Sequence, residues 1–178
     1  MSTVDNNINK REVFAGLYEE FLPKVFRYVR YRVNSEPVAE DLTSLVFDKA
    51  LTNFERYSSD KASFSTWIFT IARNAVIDHY RVAGRRKTTS LEDMTVEIAS
   101  GELTPDDAAV KREERERLNT CLSRLSRQEQ ELISLKFGAE LNNRQIAGAL
   151  GLSESNVGTR LYRAVRKLRD SYQETHHG

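Results

Sequence analysis

Apolar residues recur along this chain at helical spacing. Phe14, Leu17, Tyr18, Phe21 and Leu22, then Val25, Phe26 and Val29, fall at i, i+3, i+4 and i+7, the pattern of an amphipathic helix with one face committed to a core. Pro23 lies inside that stripe. A proline has no N–H to give and its ring crowds the carbonyl four residues back, so a kink or break is expected there. A second helix is predicted to start near Ser35-Glu36-Pro37, with a capping residue and an early proline, and to run on through Leu42, Leu45, Val46, Ala50 and Leu51. A loop follows over about 54–62. Ser63 is placed to cap a third helix that buries Phe64, Ile68, Ile71, Ala72 and Ala75 and ends near Gly84.

The last third of the chain is more tightly punctuated. Leu118, Cys121, Leu122 and Leu125 make one apolar stripe. Ser126-Arg-Gln-Glu129 fits a capping box, in which serine and glutamate satisfy each other's orphan amides. Ile133 and Phe137 lie one turn apart on that helix, and Gly138 can end it. Asn142 with Gln145 offers the same kind of start for the next helix, Gly151 interrupts it, and Ser153 can cap a final helix reaching about Tyr172. No alternating run of β-branched residues is found, so the fold class is all-α.

Composition adds an organisation to these elements. Of 178 residues 39% are apolar, enough for modest cores rather than one large one. The net charge of +1 excludes a basic coat over the whole chain, but the charge is unevenly spread: +3 over residues 1–90, −5 over 91–117 and +3 over 118–178. The acidic middle, Thr88 to Glu113, carries Gly101, Pro105 and many Ser and Thr, a linker's composition. One cysteine, Cys121, excludes a disulfide framework and a cysteine-rich zinc site, and the stripe it sits on makes it a small core residue. No apolar run approaches the ~20 residues that span a bilayer, and residues 1–10 hold no signal-peptide core; a cytoplasmic protein without membrane insertion is expected.

The sharpest chemical signal lies at 142–169. A short helix meets a long one through Gly151-Leu152-Ser153, with glycine suited to a left-handed turn and Ala147 small where helices must cross. Ile146, Leu150, Leu152, Val157 and Leu161 can share a core. The second helix carries Arg160, Arg163, Arg166, Lys167 and Arg169, no acid between 155 and 169, and short polar side chains at Ser155, Asn156 and Thr159. A helical hairpin with a solvated basic face would have the same charges. The turn, the spacing and the polar first turns together favour a DNA-reading helix-turn-helix. Gly158 costs that helix ~1 kcal/mol relative to alanine, either for close approach to DNA or as a tolerated flaw.

In the first half, residues 64–87 interleave aromatic and basic groups, with five bases and one acid from 73 to 87. Single-strand binding uses this mixture: bases stack on rings while cations track the backbone. Trp67 is either a core residue or such a platform, and Asp78 with Arg81 is equally readable as a surface i, i+3 pair.

Two motif sets here resemble those of a known family. Phe64-x-x-Trp67-Ile-x-x-Ile71-Ala72-Arg73-Asn74-x-x-x-Asp78-x-x-Arg81 resembles region 2 of the bacterial sigma-70 superfamily, in the version of the small extracytoplasmic-function (ECF, group 4) sigma factors. Ala39-Glu40-Asp41-Leu42-Thr43-x-x-Val46-Phe47-x-Lys49-Ala50-Leu51 is similar to the polymerase-binding helix of that region. Ile146-Ala147-x-x-Leu150-Gly151-x-Ser153-x-x-x-Val157-x-Thr159-Arg160-Leu161-x-Arg163-Ala164-x-x-x-Leu168-Arg169 resembles region 4. The sets stand in the family's order and together span about 130 residues.

The resemblance implies two small helical domains, region 2 over 10–87 and region 4 over 114–173, joined by a flexible acidic linker at 88–113. It implies a non-enzymatic protein, without catalytic residue, metal or cofactor, that binds core RNA polymerase and directs it to promoter DNA. Asp41, Leu42 and Phe47 would meet the polymerase. Ser44 and Leu45 stand where the family often has Gln-Glu, and Leu45 would be buried either against polymerase or inside its own domain. The −10 element would be read as a melted strand: Tyr57, Ser58, Ser59 and Lys61 would wall a pocket for a flipped base, and Trp67, Arg73, Asn74, Arg81, Arg85 and Arg86 would hold the strand and its phosphates. The −35 element would be read as duplex by Arg144, Ser155, Asn156, Thr159, Arg160 and Arg163, the last two suited to phosphate or to guanine edges. An anti-sigma factor that holds the protein inactive is a further partner the resemblance implies.

The linker is long enough for that task. Its 26 residues average ~28 Å end to end as a flexible coil and reach at most ~90 Å extended. Near-neutral charge also suits a factor whose intrinsic DNA affinity is weak, because phosphate neutralisation drives non-specific trapping. The main rival is a helix-turn-helix regulator that acts without polymerase, and a second is a sigma-like adaptor that melts no DNA. An enzyme has no support: there is no glycine-rich phosphate loop, no paired carboxylate setting and no ligand-spaced His/Cys cluster, and His176-His177 reads as tail.

Overall fold

Among the described residues six α-helices are complete enough to bound, and no strand occurs. The structure, a computed structural model, describes residues 3–33, 35–86, 114, 117, 118 and 120–174, with backbone alone for 3–9, 85 and 86. The 88–113 linker, Lys87 and the His176-His177 pair lie outside the described residues. Helix α1 (Thr3–Arg30) is followed by α2 (Glu36–Asn53), a 3-10 turn (Phe54–Arg56) and α3 (Phe64–Arg86). After a helical stretch over 120–123 come α4 (Arg127–Ile133), a π turn (Ser134–Gly138), α5 (Asn143–Leu150) and α6 (Glu154–Glu174).

The local signals form as read. In both capping boxes the partners satisfy each other: Ser126 N donates to Glu129 Oε2 at 2.9 Å and Glu129 N to Ser126 Oγ at 3.3 Å, while Asn142 and Gln145 exchange two bonds of 2.9 Å. Ser63 Oγ accepts from Thr66 N and Ser153 Oγ from Asn156 N. Gly151 closes α5 at φ 65°, the left-handed region that favours glycine, with its N–H and that of Leu152 on the Ala147 carbonyl. Only the start of α2 departs: Ser35 is the N-cap residue but makes no side-chain bond, and Pro37 supplies the helix-ready φ instead.

One expectation, a break at Pro23, is corrected. Helix α1 runs on through Pro23: the carbonyl left without its partner belongs to Glu19, which is exposed to water, while Phe21, Val25, Tyr28 and Val29 anchor the apolar face on both sides of it. The helical run ends at Gly138, as read, without a left-handed turn at that residue. That conformation falls on Glu140, at φ 58°. Gly138 allows a close approach, since a Cβ there would stand 3.0 Å from Tyr31 Cδ2 and 3.4 Å from Tyr28 Cα and the tyrosine would have to give way.

The core of the first half is built from α1, α2 and α3 around Val25, Val29, Val46, Ala50, Ile68, Phe69 and Ala72, and that of the second around Leu132, Leu135, Ile146, Val157 and Ala164. Cys121 is buried, as its stripe implies. Sequence alone suggests two modest, separate cores; the structure joins them into one continuous cluster of buried residues. The π turn packs on α1 and α5 packs on α3.

Candidate nucleic-acid interface

Helix α3 divides its work by face. Trp67, Ile71, Asn74 and Asp78 follow i, i+4, i+7, i+11 and form one wall of a cleft of about 580 Å³, whose other wall is Lys49, Asn53 and Arg56 from α2 and its 3-10 extension. A smaller cleft of about 400 Å³ opens beside it, lined by Lys10, Val13, Phe54, Glu55, Tyr57, Ser58 and Ser59. An aromatic cluster separates the two. Tyr57 and Trp67 have ring centroids 4.9 Å apart, Phe54 and Tyr57 stack at 5.9 Å, and Phe64 packs edge-on to Tyr57 at 5.7 Å. Partial burial in this cluster pushes the Tyr57 hydroxyl above its ordinary pKa.

Trp67 is thus neither of the simple alternatives: it is half-buried, one side on Tyr57 and Phe64 and the other on the cleft. The fold brings together Tyr57, Ser58 and Ser59 in one cleft and Trp67 and Asn74 in the other. Lys61 is exposed in the adjoining turn, its N–H on the Ser58 carbonyl at 3.1 Å. Arg81 pairs with Asp78 at 3.2 Å, and the backbone of Arg85 and Arg86 forms the last turn of α3. Arg73 stands apart, on the stripe of Thr66 and Thr70 about 100° around the helix from the cleft, where its Nε lies 3.1 Å from Glu131 Oε1. Lys49, Asn53 and Arg56 line this cleft and were not among the residues the sequence reading singled out for a site, although their i, i+4, i+7 spacing was a visible signal.

On α2, Leu42 and Phe47 turn inward, 7% and 4% exposed, with Phe47 edge-on to Tyr18 at 4.7 Å. Asp41, Ser44, Leu45 and Asp48 form the outer face. Leu45, 40% exposed, is not inside its own domain.

In the helix-turn-helix, α5 and α6 close over Ile146, Ala147, Val157 and Leu161, with Leu150 and Leu152 packed at the edge. Ser155, Asn156, Thr159 and Arg163 are exposed along α6, Arg160 is half-exposed, and Arg144 is exposed on α5. Asn156 Oδ1 accepts from Arg160 Nε at 2.7 Å. Lys167 turns back to Glu129 Oε1 at 2.6 Å, and Arg166 lies 4.0 Å from Asp170. The Lys167 bond and that from Ser126 N–H hold the Glu129 carboxyl below the usual range. A Cβ at Gly158 would meet only Asn143 Nδ2, at 3.7 Å, so packing leaves room for a larger residue there.

Comparison with known proteins gives concordant results. The Sigma-70 region 2 family pattern matches residues 17–86, and the Sigma-70 region 4 pattern matches 115–168. The chain is 33% identical over 157 residues to the ECF RNA polymerase sigma factor BldN of Streptomyces coelicolor, covering 88% of this chain and 59% of that protein. It is 31% identical over 162 residues to the ECF RNA polymerase sigma factor RpoE of Cereibacter sphaeroides, covering 88% and 84%. The fold is shared with the sigma factor RpoE of Bartonella quintana, solved in complex with the anti-sigma factor NepR, at TM-score 0.72 and 19% identity over 91% of this chain and 98% of that one. It is shared also with CnrH, solved with the cytosolic domain of CnrY, at TM-score 0.66 and 22% identity over 90% and 87%.

Proposed function

The chain belongs to the ECF RNA polymerase sigma factors of the sigma-70 family, and from that premise we propose that it is an alternative sigma factor of the group 4 kind. The two matched spans leave 28 residues between them, fewer than the ~50 of the smallest ordinary domain, which supports a two-domain, group 4 organisation with region 2 at 10–87, a linker at 88–113 and region 4 at 114–173. In this reading the protein binds core polymerase, holds the −10 element as an unpaired strand and grips the −35 element as duplex.

One observation carries the reading: the α2–α3 cleft has an aromatic wall at Trp67 and cations on its rim at Lys49 and Arg56. A duplex offers no base face to such a wall, whereas an unpaired strand offers stacking worth ~1–3 kcal/mol per base and phosphates for the rim. Tyr57, Ser58 and Ser59 line the smaller cleft, of a size for one extruded base. Polymerase contact falls to Asp41, Ser44 and Leu45 on the outer face of α2, with Leu42 and Phe47 fixing that face from inside. Duplex recognition uses Arg144, Ser155, Asn156, Thr159, Arg160 and Arg163. An anti-sigma factor is a fitting regulator, since the two structural neighbours were solved with partners, and the site of action is the cytoplasm.

The test is reconstitution. Purified core polymerase with this protein is expected to start run-off transcripts at sites it does not use alone, with permanganate-reactive thymines near −10. A pull-down without core polymerase and no new starts would instead favour the regulator that acts alone.

A further inference from the structure

The cluster that joins the two halves is not a casual contact. Glu131, on α4 and 12% exposed, accepts from Arg73 Nε at 3.1 Å and from Tyr28 Oη at 3.3 Å, and Tyr28 is fully buried. Buried Ser65 accepts from Gln145 Nε2 at 2.9 Å. Arg27 donates from Nε to the Gly138 carbonyl at 3.1 Å and pairs with Glu140 at 2.8 Å. Arg32 reaches the Arg127 carbonyl at 3.3 Å, and the Arg127 guanidinium lies over the Tyr80 ring. The atoms nearest to an added Cβ at Gly138 all belong to Tyr28 and Tyr31, and at Gly148 all belong to Thr66. Two glycines of the second half are therefore each fitted against the first.

We propose that the α3 stripe Ser65-Thr66-Thr70-Arg73 is a docking surface for the chain's own helix-turn-helix half, and that Glu131 is the latch of a closed resting form. Its carboxylate is a charge-assisted partner for Arg73, and the pair ties α4 to α3. Promoter elements more than one duplex turn (~34 Å) apart call for a separation of the two halves that the packing of α5 on α3 opposes. Opening must precede simultaneous engagement of both. That consequence rests on the sigma-factor reading; the closed form itself does not.

The test uses the free full-length chain, spin-labelled at Thr52→Cys on α2 and Arg169→Cys on α6, both exposed, while buried Cys121 stays unlabelled. Pulsed dipolar spectroscopy is expected to find one short, narrow distance. Glu131→Gln is expected to raise the open-to-closed ratio on the order of tenfold, and Arg73→Gln in that background to add little, because both remove one interaction. Gly138→Leu is expected to open the chain by wedging against Tyr31 and Tyr28 while circular dichroism stays helical. A broad distribution in the unsubstituted chain, or a Glu131→Gln distribution identical to it, would overturn the latch. Neither result depends on polymerase, so the latch can fail while run-off transcription succeeds, and the reverse.

Discussion

Asn156 Oδ1 holds Arg160 Nε at 2.7 Å, one turn apart on the exposed face of α6. The bond uses Nε and does not occupy the two terminal nitrogens of the guanidinium, the pair that reads O6 and N7 of guanine or clasps a phosphate. Asn156→Ala frees Arg160 to sample other rotamers. Transcription from a −35-dependent promoter is expected to fall about tenfold, as ~1–3 kcal/mol per bidentate contact implies, while the melting temperature stays put. Run-off assays on promoters with and without the −35 element check this.

Two glycines of the helix-turn-helix are expected to respond in opposite directions. Gly151→Ala places a Cβ in the left-handed region, at a cost of ~1–2 kcal/mol, although nothing lies within 4 Å of it. Gly158→Ala meets only Asn143 at 3.7 Å and gains ~1 kcal/mol of helix propensity. Urea unfolding midpoints check both, with unchanged slopes.

The cleft gives a prediction that separates strand from duplex. Lys49→Ala with Arg56→Ala removes two cations from a rim of partly or fully exposed residues, so stability changes by no more than ~0.5 kcal/mol. Open-complex formation is expected to fall, and its salt dependence to flatten, with duplex binding at −35 unaltered. Trp67→Ala is expected to cost the same step about tenfold through lost stacking. Permanganate reactivity against time reads both.

Leu45 is expected to matter only in company. Leu45→Glu changes an exposed side chain beside Ser44, so the free protein keeps its stability within ~0.5 kcal/mol. Affinity for core polymerase, measured by competition with a second sigma factor, is expected to drop about tenfold.

Below about pH 4.3 stability is expected to decline in part through Glu129. Its carboxyl is held low first by Lys167 and then by the Ser126 N–H, against the opposing effect of burial. A depressed folded pKa gives stability that is fully present above the unfolded value, about 4.3, and is lost as pH falls through the lower folded one. Glu129→Gln keeps the cap geometry without the charge. Its stability deficit against the parent is expected to shrink as pH drops below about 4.3, as denaturation curves at successive pH values would display.

Caps, turn glycine and helix positions were legible in the chain because each depends on groups three or four residues apart: Ser126 with Glu129, Asn142 with Gln145, Ser153 with Asn156, Gly151 with Ala147. The aromatic cluster was partly legible, since Phe64 and Trp67 share a helix and Tyr57 sits in the loop before it. The cleft rim was not, because Lys49 and Arg56 acquire a role only when α2 lies across from Trp67. The inward turn of Leu42 and Phe47 was also hidden, as an apolar stripe one turn wide fits a partner's surface as well as its own core.

What the sequence by itself determined is therefore every element whose energetics are local: all-helical structure, the helix-turn-helix hairpin, and the chemistry laid along α3 and α6. What only the tertiary structure decided is which of those groups meet. Arg73 and Glu131 are 58 residues apart and Ser65 and Gln145 are 80 apart, and Gly138 packs closely against a tyrosine from the other half. Periodicity sets which way a side chain leaves its helix. Its partner is set by the packing of whole helices, a sum over many weak contacts that no short window of residues contains.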